Sequence, residues 1–220
     1  MDLYALLNLL TWTSPFILLA GTITGVCYYK SLDSEYKTLV YYLFAMLCID
    51  IGSRWCGLVF GNNLFFIPVL GFTEILLFSI VYYFIGFKNV PKLRYLLLII
   101  NSAALIFSVL EIFKTAAFVT KDFQLYSKAV NSLFIIVFAA IFFIQDIRKN
   151  KIPKKHIFIL NSGILVFFSL NIIIFLPLDL LINENSVYKF YIWFTNLLLT
   201  LLFYSFLIYA IWKNGRIQGL

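Results

Sequence analysis

"LFFIPVLGFTEILLFSIVYYFIGF", residues 64–87, decides the fold. It holds one acid, Glu74, and no base. The run exceeds the roughly 20 apolar residues that an α-helix, rising about 1.5 Å per residue, needs to cross about 30 Å of hydrocarbon. A helix on a water-soluble core needs only one apolar stripe, whereas here apolar side chains occupy nearly every face. Spanning strands would alternate with a period of two, and this segment does not.

Six further runs of the same kind accompany it. The expected spans are Tyr4–Tyr29, Thr38–Phe60, Leu64–Phe87, Leu93–Phe113, Gln124–Ile147, Ile157–Leu178 and Tyr188–Trp212. Short polar joints separate them, such as "GNN" (61–63) and "RKNKIPKKH" (148–156), and none has room for a water-soluble domain. Composition agrees, with 63% hydrophobic and 12% charged residues and a mean hydropathy of +0.96. The expected fold is an all-α integral membrane protein, one domain over residues 1–220, built as a bundle of seven transmembrane helices.

Lysine and arginine set the expected orientation, because short joints rich in them stay in the cytoplasm. Twelve of the 17 basic residues, from Lys30 and Lys37 through Arg148, Lys149, Lys151, Lys154 and Lys155 to Lys213 and Arg216, fall in the joints after helices one, three and five and at the C-terminus. Lys114, Lys121, Lys128 and Lys189 fall on the other side, and Arg54 lies within a helix. This predicts a multi-pass protein of the bacterial cytoplasmic membrane with its N-terminus outside and its C-terminus inside. "MDLY" offers no basic region, so the first helix reads as a retained anchor. Tyr and Trp gather at helix ends, as in "VCYYK" and "YAIWK", where an interfacial belt places them. The topology accounts for the net charge of +7, and nucleic acid is not an expected partner. The basic joint at Arg148, Lys149, Lys151, Lys154 and Lys155 serves as a topology signal, an anionic-lipid contact or a dock for a cytoplasmic protein.

The chain offers little conventional catalytic chemistry. Cys27, Cys48 and Cys56 lack metal or disulfide spacing, and His156 is the single histidine, placed at a span boundary. No Gly-rich phosphate loop and no Ser-His-Asp set is present, so no cofactor and no metal is expected.

Charges inside spans are the candidate functional groups. In "CIDIGSRWC" (48–56), Asp50 and Arg54 stand four apart, the spacing of an intrahelical ion pair. At about 100° per residue they share a face with Gly57 and Gly61, and "GLVFG" reads as a helix-packing GxxxG. Glu74 lies at similar depth on the next helix, joined by only "GNN", so two carboxylates are expected to meet one guanidinium. Either this is a structural pair, with the second acid bonded elsewhere, or a protonatable or ligand-contacting centre. Glu111 has Lys114 three residues on and reads as an interfacial pair. Asn101, Asn131, Asn161, Asn171 and Asn196 each need a partner within lipid and are expected to face neighbouring helices. The thirty-residue spacing of Asn-Ser at 101, 131 and 161 reads as helix-plus-loop length, because antiparallel helices put these residues at alternating depths. Pro15 in "TWTSP" is expected to kink the first helix, either opening a polar vestibule with Thr11, Thr13 and Ser14 or satisfied by its own hydroxyls.

"NNLFFIPVLGFTEILLFSIVYYF", "ILNSGILVFFS" and "WFTNLLL…AIW" resemble the pattern of an uncharacterised group of small seven-helix membrane proteins of Bacteroidota. The resemblance matches Glu74 to an acid in helix three and Asn161-Ser162-Gly163 to a motif in helix six. An acid usual early in helix five is replaced here by the region around Asn131. The resemblance implies a fold and no activity.

The leading expectation is a receptor-like transducer, with a small ligand among Asp50, Arg54 and Glu74 and a cytoplasmic partner at the basic joint. A small-molecule or ion transporter using the intramembrane carboxylates comes second. A membrane-embedded lipid enzyme, lacking an evident nucleophile, comes last.

Overall fold

A computed structural model describes residues 3–61, 63, 65–87, 90–116, 126–148, 155–183 and 188–218. Seven helices follow in order: α1 Leu3–Tyr28, α2 Ser34–Phe60, α3 Phe66–Tyr82, α4 Pro91–Ala116, α5 Tyr126–Arg148, α6 Lys155–Asn183 and α7 Tyr188–Gln218. All seven are long and apolar enough to cross a membrane. The chain thus has the build of a multi-pass integral membrane protein, and the described residues contain no strand.

Most differences from the expected bounds lie at polar ends. α2 starts at Ser34 instead of Thr38, with Asp33 preceding it and Glu35 in its first turn, where acids complement the helix dipole. α7 runs on to Gln218 because Asn214 and Gln218 both donate to the Asp33 carboxylate, at 3.0 and 3.1 Å. α3 ends in a π turn, Tyr83–Phe87, where Gly86 sits against Phe142.

Six helices form a closed ring in the order α1, α2, α3, α5, α6, α7, with α2 and α7 also touching across it. α4 lies outside this ring, on α3 and more lightly on α5. Contacts fix the helix directions. The Tyr82 hydroxyl donates to Asn161 and Asn161 donates to the Ala139 carbonyl, while Ser132 lies beside Asn171, so α5 and α6 are antiparallel. We call the end where α1, α3, α5 and α7 begin the proximal end and the opposite end distal.

The core is aromatic. Phe78, Phe168 and Phe203 meet with ring centroids 5.1 to 6.1 Å apart, and Tyr42 and Tyr82 are fully buried around them. Large apolar side chains such as Phe16, Leu58, Ile99 and Leu202 point outward, an arrangement that suits lipid as solvent and is costly in water.

One packing expectation is corrected. Among the described residues, Gly57 and Gly61 mediate no helix crossing. Gly61 is the C-cap of α2, in the left-handed conformation at φ 68°, its N–H donating to the Gly57 carbonyl at 3.1 Å. A side chain at Gly57 would first meet Asn63, and one at Gly61 nothing within 4 Å. The GxxxG that brings helices together is "GTITG" (21–25) in α1. There a Cβ on Gly25 would come within 2.5 Å of Val40 on α2, and one on Gly21 within 2.7 Å of Ile208 on α7.

Candidate functional site

Among the described residues, the charges within the candidate spans form two separate ion pairs, Asp50–Arg54 and Glu74–Lys128, in place of the single cluster expected around Arg54. Arg54 Nε donates to Asp50 Oδ2 at 2.9 Å along α2. Its Nη2 donates to the Thr11 carbonyl at 2.6 Å and lies 3.3 Å from Asp50 Oδ1. Thr11 stands four residues before Pro15, so Pro15, lacking an N–H, cannot supply that carbonyl with its helical donor. Arg54 supplies the donor from the next helix, and its guanidinium also rests 5.0 Å from the Trp12 ring. Asp50 in turn compensates the guanidinium charge. Both side chains remain about a quarter exposed. Of the two expectations for Pro15, neither names this solution: the Thr11 carbonyl, which Pro15 cannot serve, is met by an arginine from α2.

Glu74 finds a different cation. Its carboxylate accepts a hydrogen bond from Lys128 Nζ on α5, with side-chain exposures of only 4% and 2%. Lys128, counted from the sequence with the basic residues of the outer side, is thus a buried base within the candidate span of α5. Gly71, one helical turn before Glu74, makes room for it: a Cβ there would lie 3.2 Å from the Lys128 Cα and 3.4 Å from Asn131 Nδ2. The ammonium also lies 5.8 Å from the Phe175 ring of α6.

Polar groups extend the pair across four helices. Asn131 donates to Ser108 Oγ on α4 at 3.4 Å. The Ser132 hydroxyl lies 2.9 Å from the Lys128 carbonyl and 3.4 Å from Asn171 Oδ1 on α6. Glu111 is buried and its Oε1 accepts the Ser127 N–H at 2.9 Å, capping the start of α5, while the side chain of Lys114, its expected partner, lies outside the described residues. α3, α4, α5 and α6 therefore share one polar layer in the proximal half. Its signal in the sequence was the stripe Ser127, Lys128, Asn131, Ser132, spaced along one face of α5.

The remaining asparagines divide. Asn161 ties α6 to α3 and α5 in the distal half, as a partner-seeking Asn should. Asn101 instead donates to the Leu97 carbonyl of its own helix, and Asn196 Oδ1 has no hydrogen-bond partner among the described residues. Lys155 opens α6 and is exposed, Arg148 ends α5, and Lys149, Lys151 and Lys154 lie outside the described residues.

At the distal end, Asp33, Glu35 and His156 bring donor atoms within 4.8 Å of one another, a spacing that could hold a metal ion. The hydrogen bonds from Asn214 and Gln218 already give Asp33 a structural role, tying the start of α2 to the end of α7. The three cysteines are free thiols, Cys27 and Cys48 on exposed positions.

No protein-family model, curated protein or solved structure matches the chain.

Proposed function

We propose that the chain is a receptor-like sensor of the bacterial cytoplasmic membrane, its proximal end outside, with the Glu74–Lys128 pair as the element that a small ligand switches. The observation that carries this reading is a fully buried ion pair joining two helices of the ring. A buried pair has two distinct arrangements, because either partner alone leaves an uncompensated charge that costs about 3–5 kcal/mol. A ligand offering an anion to Lys128, or a cation to Glu74, replaces one contact and releases α5 from α3. A ligand shifts such an equilibrium only through its differential affinity for the two arrangements, and competition for one partner of the pair supplies that difference.

α5 ends at Arg148, the first residue of the basic stretch, so its displacement moves Arg148 on the side facing a cytoplasmic partner. The Asp50–Arg54 pair has a supporting role, holding the proline-broken turn of α1 against α2. A photo-crosslinking residue at the exposed Lys155 tests this in intact cells. A cytoplasmic protein is expected in the crosslink, with yield altered in Glu74→Gln. Recovery of none, or yield indifferent to Glu74→Gln, would contradict the sensor reading.

One observation favours transport as a second reading. Polar groups line α3, α5 and α6 on both sides of the Phe78–Phe168–Phe203 layer: Lys128, Asn131, Ser132 and Asn171 proximally, Tyr82 and Asn161 distally. That is the layout of a midplane site with a hydrophobic gate. Proton or cation flux into liposomes that disappears in Glu74→Gln would favour it over sensing.

A further inference from the structure

Between α6 and α7, at their distal ends, lies a slot of about 170 Å³. Its floor is a close helix contact: Gly163 on α6 leaves room for the Phe206 ring of α7, and a Cβ there would collide with that ring. Distal to this contact the slot is walled by Leu160 on α6 and Ala210 on α7, with Tyr36 of α2 behind. Tyr36 and Leu160 are at most 1% exposed, whereas Ile159, Tyr209 and Ile217 on the rim are exposed, so the slot opens to the outside of the ring.

Two lysines complete the lining. Lys155, the first residue of α6, is exposed, and Lys213 lies seven residues beyond Phe206 on α7, about 10 Å along the helix. Neither belongs to an ion pair among the described residues. The neighbour of the Lys213 ammonium is neutral: the Tyr209 hydroxyl lies 3.4 Å away and the Tyr209 ring centroid 5.4 Å away. The acids of this end, Asp33 and Glu35, do not line the slot, and Asn214 and Gln218 hold the Asp33 carboxylate. Lys155 opens its candidate span and Lys213 lies five residues from the end of its own, within side-chain reach of a headgroup layer.

Two lysines without counter-charges at the mouth of a hydrocarbon-lined slot fit an amphiphile whose head is anionic. A dry void of about 150 Å³ holds one benzene molecule, so this slot takes roughly six carbons of a single chain. A zwitterionic head would bring its own permanent cation beside the two ammonium groups, and an anionic head does not. We infer that the slot binds an anionic phospholipid, its phosphate between Lys155 and Lys213 and the first carbons of one acyl chain against Ala210 and Phe206. The site is separate from the Glu74–Lys128 layer and does not depend on the sensing role proposed for it.

Native mass spectrometry of the purified protein in detergent tests this, with phosphatidylglycerol and phosphatidylcholine of identical acyl chains as probes. The wild-type protein is expected to retain one phosphatidylglycerol about thirtyfold better than phosphatidylcholine, about fivefold for each lysine. Lys155→Gln and Lys213→Gln should each lower that preference about fivefold, and the double variant should abolish it while leaving phosphatidylcholine unchanged. Ala210→Phe fills the slot and should weaken both lipids, and free glycerol phosphate at the same concentration should displace neither. Equal retention of the two lipids by the wild-type protein overturns the proposal without reference to any variant. A preference that survives in Lys155→Gln/Lys213→Gln, or retention unchanged in Ala210→Phe, in protein of unchanged melting temperature, overturns it as well, as does displacement by glycerol phosphate.

Discussion

Neutralising one half of the Glu74–Lys128 pair is the most demanding perturbation that the structure suggests. Lys128→Met removes the ammonium but keeps the apolar length of the side chain, leaving the buried Glu74 carboxylate with no cation beside it. Both partners are at most 4% exposed, so little water is available to take over the lost contact. Breaking one side of a buried pair costs about 3–5 kcal/mol, or roughly two to four powers of ten in the folding equilibrium. Glu74→Gln should fall in the same range, softened where the amide still accepts from Lys128. The double variant Glu74→Gln/Lys128→Met removes both charges and should return to within about 1–2 kcal/mol of wild type, because apolar replacement of a buried pair is often close to neutral. Reversible unfolding in mixed micelles, followed by helical circular dichroism as dodecyl sulfate is raised, gives all four free energies and the coupling between them. Single variants within about 1 kcal/mol of wild type, or a double variant that loses the sum of the singles, would refute the assignment of Glu74 and Lys128 as mutual counter-charges.

Other consequences follow from particular contacts. If Arg54 serves the carbonyl freed by Pro15, then Pro15→Ala restores a helical donor to Thr11, and a double-mutant cycle with Arg54→Leu should show coupling of about 1 kcal/mol in the same unfolding assay. Glu111→Ala removes a cap from α5 and should cost about 1 kcal/mol, read as earlier hydrogen exchange in the first turn of that helix. The two GxxxG motifs should separate cleanly in melting temperature. Gly25→Leu drives a side chain into Val40 and is expected to cost at least about 1–3 kcal/mol, whereas Gly57→Ala should be neutral or gain up to about 1 kcal/mol.

The spans were legible because hydropathy over some 20 residues is a property of composition, insensitive to which face each residue turns inward. Pairing was less so. Asp50 and Arg54 announced themselves by their spacing of four, since an intrahelical pair needs no knowledge of neighbours. Lys128 did not, because a lysine near the end of an apolar run usually extends to the interface, and only the gap left by Gly71 on α3 gives it a buried course to Glu74. Gly57 and Gly61 misled for a related reason. GxxxG spacing marks a face that permits close approach, but a glycine at a helix end also serves as a C-cap, and the shortness of "GNN" required one. The contact between Thr11 and Arg54 spans 43 residues in sequence, and its link to Pro15 becomes visible only when α1 and α2 are placed side by side.

The reading of Glu74–Lys128 as a switch, beyond its part in stability, rests on whether the pair's charge state sets the position of α5 relative to α3. Spin labels at the exposed positions Phe84 and Ile144, near the distal ends of these helices, report that distance by double electron–electron resonance once the native cysteines are replaced. The account predicts a shifted or second distance population, displaced by about 1–2 Å or more, in Glu74→Gln and in Lys128→Met, and recovery of the wild-type distribution in the double variant. One distribution common to all four proteins would contradict it.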